Sequence, residues 1–324
     1  MISGANDAVH DRGAGIPTYS LHGLALDADV PLVLPTTTRP ADVVFRTAEP
    51  RRPEPCAGEL LASMAPGGEP FYDVWRCDGR YLLRFHGYAD FLIDPALSAI
   101  RGHAHPGADP RMVAVFLEGS VLAILLVLRG ELVLHASAVD GPEGVLALAG
   151  GSGAGKTSLA AGLCAGGAPL VTDDVLRLDL SHDPVLAYGG STELRLRESL
   201  SEAASLLPGH PLRTTADGRS AVRVGAGLGE ARPLRVILLP ALCEGLQEPA
   251  LRRLRGAEAL MGLIATPRTA WCAPQPQRDL LRHLSRLVAH VPVFEARIPW
   301  RPGTAREAAA SLASAVEATL ARVG

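Results

Sequence analysis

Gly150-Gly151-Ser152-Gly153-Ala154-Gly155-Lys156-Thr157 reads G-x-x-x-x-G-K-T. It follows the apolar run Val145-Leu146-Ala147-Leu148-Ala149 and precedes a helical pattern over 158–165. Strand, glycine-rich loop and helix in that order are the context in which this motif cradles phosphates. Loop N–H groups would converge on β- and γ-phosphate oxygens, helped by the positive end of the following helix. Glycine permits both the close approach and the positive φ values such a loop needs. Gly151, Ser152, Gly153, Ala154, Gly155, Lys156, Thr157 and Ser158 are therefore the candidate nucleotide-binding residues. Lys156 is expected to bridge the β- and γ-phosphates of a nucleoside triphosphate and the Thr157 hydroxyl to sit on Mg²⁺. Lys156 is also the only lysine in the chain.

The chain has 324 residues, enough for one large domain or two of ordinary size. A hydrophobic content of 48% with 20% charged residues describes a globular protein with a substantial core. Net charge is −3 and the arginines are dispersed, so no electrostatic footprint for nucleic acid or an anionic membrane is present. The five cysteines lie far apart in sequence without a C-x-x-C pair, which argues against a zinc site and a disulfide framework. The first fifteen residues carry no apolar signal segment. The most hydrophobic stretch, 112–128, is interrupted by Glu118, Gly119 and Ser120 and reads as a buried helix, not a membrane span. A soluble, cytoplasmic protein is expected.

Residues 1–16 read as a disordered N-terminus, 17–108 as a β-rich domain, and 109–324 as the domain carrying the loop. In the first domain strands are expected over 18–30, with a bend, and over 41–47. A hairpin over 71–85 turns at Cys77-Asp78-Gly79, and another strand covers 88–93. No constellation there suggests chemistry, and His103 and His105 read as solvated loop residues. A buried helix over 111–129 links the halves. Leu132 to Val139 reads as one strand, followed by a turn into the strand that feeds the loop. Short strands at 169–172 and 175–180 flank Asp173-Asp174. A helical segment runs to 207, and 208–232 reads as a mobile pair of loops. A buried strand at 234–239, helices at 256–264 and 277–289, and a strand at 293–298 follow. The last helix opens on a capping box, Thr304 and Glu307, and presents Ala308, Leu312, Val316 and Leu320 on one face.

The loop alone does not choose among nucleotide-binding proteins. With one lysine the chain cannot build the N-K-x-D element of a GTPase, and it has no L-S-G-G-Q signature of a transporter ATPase. Three pieces together resemble the HPr kinase/phosphorylase catalytic domain and the HPr-kinase-related proteins. They are Leu134-His135-Ala136-Ser137-Ala138-Val139, the loop, and Leu170-Val171-Thr172-Asp173-Asp174-Val175. The likeness covers roughly 105–324, weakly after 200. In layout the chain is closest to the lasso-peptide precursor kinases, whose leader is also β-rich. The resemblance implies an α/β fold, a P-loop kinase domain of HPr-kinase type with a smaller β-rich N-terminal domain. Family members form hexamers, so a homo-oligomer is among the expectations. Two departures stand out. Thr157-Ser158 replaces the family's Ser-Glu after the lysine, and the second signature element, tied to phosphorylase activity, is missing.

Transfer of a phosphoryl group to a hydroxyl needs the γ-phosphate held, its charge neutralised and the nucleophile oriented. An aspartate beyond the next strand can complete Mg²⁺ coordination, and a second carboxylate beside it can take the hydroxyl proton. The resemblance implies Asp174 as that base and Asp173 as partner of the metal and of His135. Adjacent strand residues face opposite sides, so both act only if the pair sits at a turn or bulge. The reverse assignment stays open. By itself His135 in an apolar strand reads as a core residue; the resemblance makes it functional. Glu193 and Arg195 match the family's L-E-I-R-G-like element, placed to reach Mg²⁺ and phosphate, with Arg197 as an alternative register. The expected activity is an ATP- and Mg²⁺-dependent kinase acting on Ser or Thr of a peptide or small protein. A small-molecule kinase is the alternative, and a non-catalytic nucleotide sensor the third reading.

Overall fold

Alternating apolar residues build an eight-stranded sheet from the first hundred residues. Its strands are β1 (Thr18–Leu21), β2 (Leu24–Ala28), β3 (Val43–Ala48), β4 (Glu59–Met64), β5 (Tyr72–Cys77), β6 (Arg80–Phe85), β7 (Ala89–Ile93) and β8 (Ala99–Ala104). The spatial order is β1-β2-β3-β8-β7-β6-β5-β4. In β5 the alternation is plain: Tyr72 and Val74 are buried, Asp73 and Trp75 half-buried. The computed structural model describes residues 16–196, 207, 212–225, 231–266, 269, 271–301 and 304–322. Residues 1–15, Arg197 and the helix read over 198–206 lie outside the described residues.

The apolar stretch after this sheet is helical throughout: α1 (Met112–Phe116), a π-helical turn (Leu117–Val121) and α2 (Leu122–Leu128). It does more than link two halves. Leu117, Val121, Leu122 and Ile124 complete the core of the first sheet. Phe116 stacks on Phe85, ring centroids 4.1 Å apart. No helix among the described residues is long and apolar enough to cross a membrane.

The second sheet has nine strands. They are β9 (Leu132–Leu134), β10 (Ala136–Gly141), β11 (Gly144–Ala149), β12 (Leu170–Thr172), β13 (Leu176–Asp179), β14 (Leu186–Ala187), β18 (Arg232–Cys243), β19 (Ala250–Leu254) and β20 (Val293–Pro299). At its centre β11, β18 and β20 run parallel, which requires both faces to be covered. Helices α3 (Lys156–Ala165) and α6 (Ala305–Leu320) cover one face, with Leu159, Leu312 and Val316 against Leu148, Val236 and Phe294. Helices α4 (Gly256–Ile264) and α5 (Pro274–His290) cover the other, with Leu263, Leu284 and Leu287 against Ala147, Ile237 and Val293. The architecture is mixed α/β.

Several expectations are corrected. The strand read over 132–139 breaks at His135, because β9 pairs with β13 while β10 pairs with β11 and β12. The region read as mobile loops holds the hairpin of β16 (Leu212–Thr214) and β17 (Ser220–Arg223), whose strand β17 pairs with β15 (Glu193–Leu196) in a third sheet. Buried Ala221 and Val222 anchor that hairpin. No strand was expected at β4, β8 or β19; in β19 the arginines Arg252 and Arg253 of an exposed strand hide the pattern. The capping box does not form: Thr304 Oγ1 bonds to the backbone of Arg301 instead. His105 is no solvated loop residue but is buried, its Nε2 3.0 Å from Asp90 Oδ1. Cys56 and Cys77, far apart in sequence, meet with Sγ atoms 2.6 Å apart, because the segment before β4 returns to the end of β5.

Candidate functional site

The glycine-rich loop joins β11 to α3. Gly155 caps the helix at φ 81°, and a Cβ there would lie 2.7 Å from Leu242 Cδ1 of β18. The left-handed backbone favours glycine, and a larger side chain would also push Leu242 aside. Gly151, Ser152 and Gly153 are exposed, Ala154 and Gly155 half-buried, and Lys156 and Ser158 buried. Lys156 Nζ donates to the carbonyls of Gly150 and Gly151 at 2.9 Å each, so the ammonium sits inside the curve of its own loop.

The aspartate pair occupies the connection between β12 and β13. Asp174 has φ 73°, and Val175 N–H donates to Asp173 C=O at 3.0 Å, closing a tight turn. This turn meets the requirement that the pair leave the strand. It sends Asp173 towards α3 and Asp174 towards the break between β9 and β10. Asp173 Oδ1 accepts from Ser137 Oγ at 2.6 Å and from Thr157 Oγ1 at 3.1 Å. Its Oδ2 accepts from Arg195 N–H at 3.1 Å. Burial pushes the Asp173 carboxyl above its ordinary pKa and neighbouring Asp174 adds to this, opposed by the Ser137, Arg195 and Thr157 hydrogen bonds.

His135 bonds to the other aspartate. Its Nε2 lies 2.9 Å from Asp174 Oδ1, with the two side chains 25% and 35% exposed. The expected pairing of His135 with Asp173 is thus corrected. Ser137, two residues further along, points to the same side as His135 would in a continuous strand and takes Asp173 instead. The break frees His135, whose N–H goes to Thr266 C=O at 2.7 Å.

Glu193 and Arg195 stand on β15, across from this turn. Both Glu193 carboxylate oxygens are held by Arg213, from Nε at 2.9 Å and Nη2 at 2.6 Å. Glu193 is therefore not joined to the Thr157–Asp173 pair. Arg195 Nη2 pairs with Glu118, which projects from the π-helical turn. Burial raises the Glu118 pKa while the Arg195 charge opposes it. Asp173, Asp174, Glu193, Arg195, Glu118 and His22 border one small cleft, about 310 Å³ including its mouth. A larger pocket, lined by Tyr81, Trp271 and His283 among others, contains none of the expected site residues.

No family model and no curated protein matches the chain.

Sequence reasoning brought forward the loop, both aspartates, His135, Glu193 and Arg195. It missed Ser137, Glu118 and His22 as site residues. Glu118 left a signal as the lone charge in an apolar helix, and Ser137 as a hydroxyl in an apolar strand. His22 left none. Among the described residues no group of three or more His, Cys, Asp and Glu gathers as a metal site. The Thr157 hydroxyl and the Asp173 carboxylate are nonetheless hard oxygen donors in contact. That donor set fits Mg²⁺, which keeps most of its coordination for water and phosphate oxygens. Gly155, held at positive φ, likewise suits a loop that closes on phosphate.

Proposed function

We propose that this chain is an ATP- and Mg²⁺-dependent kinase of the HPr-kinase-related type, acting in the cytoplasm on a serine or threonine of a peptide or small protein. The observation that supports it is the Asp173–Asp174 turn. One carboxylate contacts the hydroxyl next to Lys156, and the following one contacts a histidine and remains partly open to solvent. A nucleotide binder without chemistry has no use for the second.

Mg²⁺ held by Thr157 and Asp173 would neutralise charge on the phosphate oxygens. The loop N–H groups and Lys156 hold those oxygens and fix the γ-phosphate. Asp174 accepts the proton of the acceptor hydroxyl as that oxygen bonds to the γ-phosphorus. The bond from that phosphorus to the β–γ bridging oxygen breaks, and ADP leaves with the electron pair. His135 keeps the Asp174 carboxylate oriented. Arg195, tied to Asp173 through its N–H, borders the cleft where the acceptor enters.

γ-labelled ATP and Mg²⁺ incubated with the purified protein and cleared host extract test this reading, with Lys156→Ala and Asp174→Asn as controls. Label in a peptide or protein, lost in both variants, is the expected result. Label only in a small molecule would change the acceptor class. Absence of transfer when the products of neighbouring genes are supplied would overturn the kinase reading.

A further inference from the structure

We infer that the β1–β2 turn of the first sheet completes the acceptor subsite, where His22 together with Arg195 holds the seryl group whose hydroxyl faces Asp174. This rests on the kinase reading and gives the first sheet a part in recognising the acceptor.

The turn is inserted into the second unit and tied there. His22 N–H donates to Gly189 C=O at 2.8 Å, and His22 C=O accepts from Arg177 Nη1 at 2.7 Å. His22 itself has φ 53°, an uncommon backbone for a non-glycine residue. Its ring lies against Gly190, where a Cβ would come 2.6 Å from His22 Cε1 and 2.1 Å from Thr172 Oγ1. Thr172 is the residue before the aspartate turn, so a bare glycine makes room for the imidazole beside it.

The side chain is 1% exposed, yet among the described residues its Nδ1 has no hydrogen-bond partner. Arg195 Nε is buried and unpartnered in the same sense. Both residues border the cleft that Asp174 borders. A third such atom, Arg51 Nε, belongs to the charge cluster around Asp90 and borders neither cavity. Buried polar atoms are nearly always paired in a folded protein, so two orphans on one cleft point to a ligand that pairs them. Burial, with the Arg177 charge adding, holds the His22 pKa down at about 3, so the ring is neutral near pH 7.

The chemistry of the pair narrows the occupant. Arg195 Nε–H only donates, so the group it meets carries an acceptor oxygen. Neutral His22 Nδ1 suits an amide or hydroxyl better than a charged group. A hydroxyl one carbon from a peptide unit, as in serine, offers both. The cleft is narrow, so only the tip of a small side chain such as a hydroxymethyl group enters it, and a phenol ring does not.

The test uses N-acetyl-serine N-methylamide and N-acetyl-tyrosine N-methylamide as acceptors with MgATP and the full chain. The wild type should phosphorylate the seryl compound and not the tyrosyl one. His22→Phe, which keeps the bulk and removes both nitrogens, should raise KM for the seryl compound by about tenfold, the scale of one lost buried hydrogen bond. KM for ATP should rise far less. His22→Asn, which restores a polar atom near Nδ1, should recover most of the loss. If His22→Phe fails to fold, His22→Gln, which displaces the polar atom, should show the same rise. An unchanged seryl KM in a folded variant overturns the inference, and so does an equal rise for ATP. A wild type that hydrolyses MgATP but phosphorylates no seryl compound also overturns it. A wild type that does not bind MgATP overturns the kinase reading instead.

Discussion

His135 Nε2 and Asp174 Oδ1 lie 2.9 Å apart, although the residues belong to different strands' ends. The contact exists because β9 and β10 separate at His135 and the chain turns at Asp174. It joins a partly exposed carboxylate to a group able to orient it. Asp174→Asn should lower the single-turnover rate of phosphoryl transfer by about 10²–10⁴, the usual range for a general base. Nucleotide affinity should stay within a few-fold. His135→Asn should cost less, since on the proposed reading His135 acts through Asp174. A parallel collapse of nucleotide affinity in Asp174→Asn would assign that carboxylate to phosphate or metal instead.

Thr157 Oγ1 and Asp173 Oδ1 are 3.1 Å apart, and this pair is the expected metal end of the site. Asp173→Asn should weaken ATP binding in the presence of Mg²⁺ by about tenfold or more, with little effect in its absence, given that carboxylates supply Mg²⁺ with its protein ligands. Titration calorimetry with and without Mg²⁺ reads this directly. Equal weakening in both conditions would remove Asp173 from the metal.

Asp90 sits fully buried in the first sheet among Arg84, His105 and Arg51. Burial alone would raise its pKa, but hydrogen bonds from Arg84 and His105 hold it down at about 2. A depressed carboxylate stabilises the fold above its unfolded pKa, and the gain disappears as pH falls through the folded value. On the order of 2 kcal/mol should therefore be lost as pH falls from about 5 to about 1. Urea unfolding at stepped pH should show the fall, and Asp90→Asn should be less stable at pH 7 with a flatter acid limb.

Phe85 is fully buried and stacks on Phe116 of α1. Phe85→Ala should destabilise the chain by about 3–5 kcal/mol through lost transfer energy and the cavity left behind. Chemical denaturation followed by the fluorescence of the three tryptophans, Trp75, Trp271 and Trp300, measures it. A change under 1 kcal/mol would mean that the helix and the first sheet do not unfold together.

The local signals were legible where a short stretch determines its own geometry. The β5–β6 hairpin turns at Asp78-Gly79, both at positive φ, as the residue types require. Helix α4 begins and ends at the residues its pattern indicated, and α6 docks through Ala308, Leu312, Val316 and Leu320, all buried. The capping box failed because Thr304 found backbone partners at Arg301 that its sequence neighbours do not reveal. The hairpin of β16 and β17 was unreadable because its glycines and arginines look like loop and the strand that β17 pairs with, β15, lies nearly thirty residues earlier.

By itself the sequence determined the strand, glycine loop and helix around Lys156, the presence of two adjacent acids after the next strand, and the apolar faces of the covering helices. Those follow from backbone freedom and from side-chain periodicity, which act over a few residues. Only the tertiary structure decided that His135 meets Asp174 and not Asp173, that Glu193 is held by Arg213, and that Glu118 and His22 reach the cleft from the first unit. Each depends on how separate elements are set against one another. The direction of a side chain at a strand break or a left-handed turn is settled by the packing around it, and no short stretch of sequence carries that information.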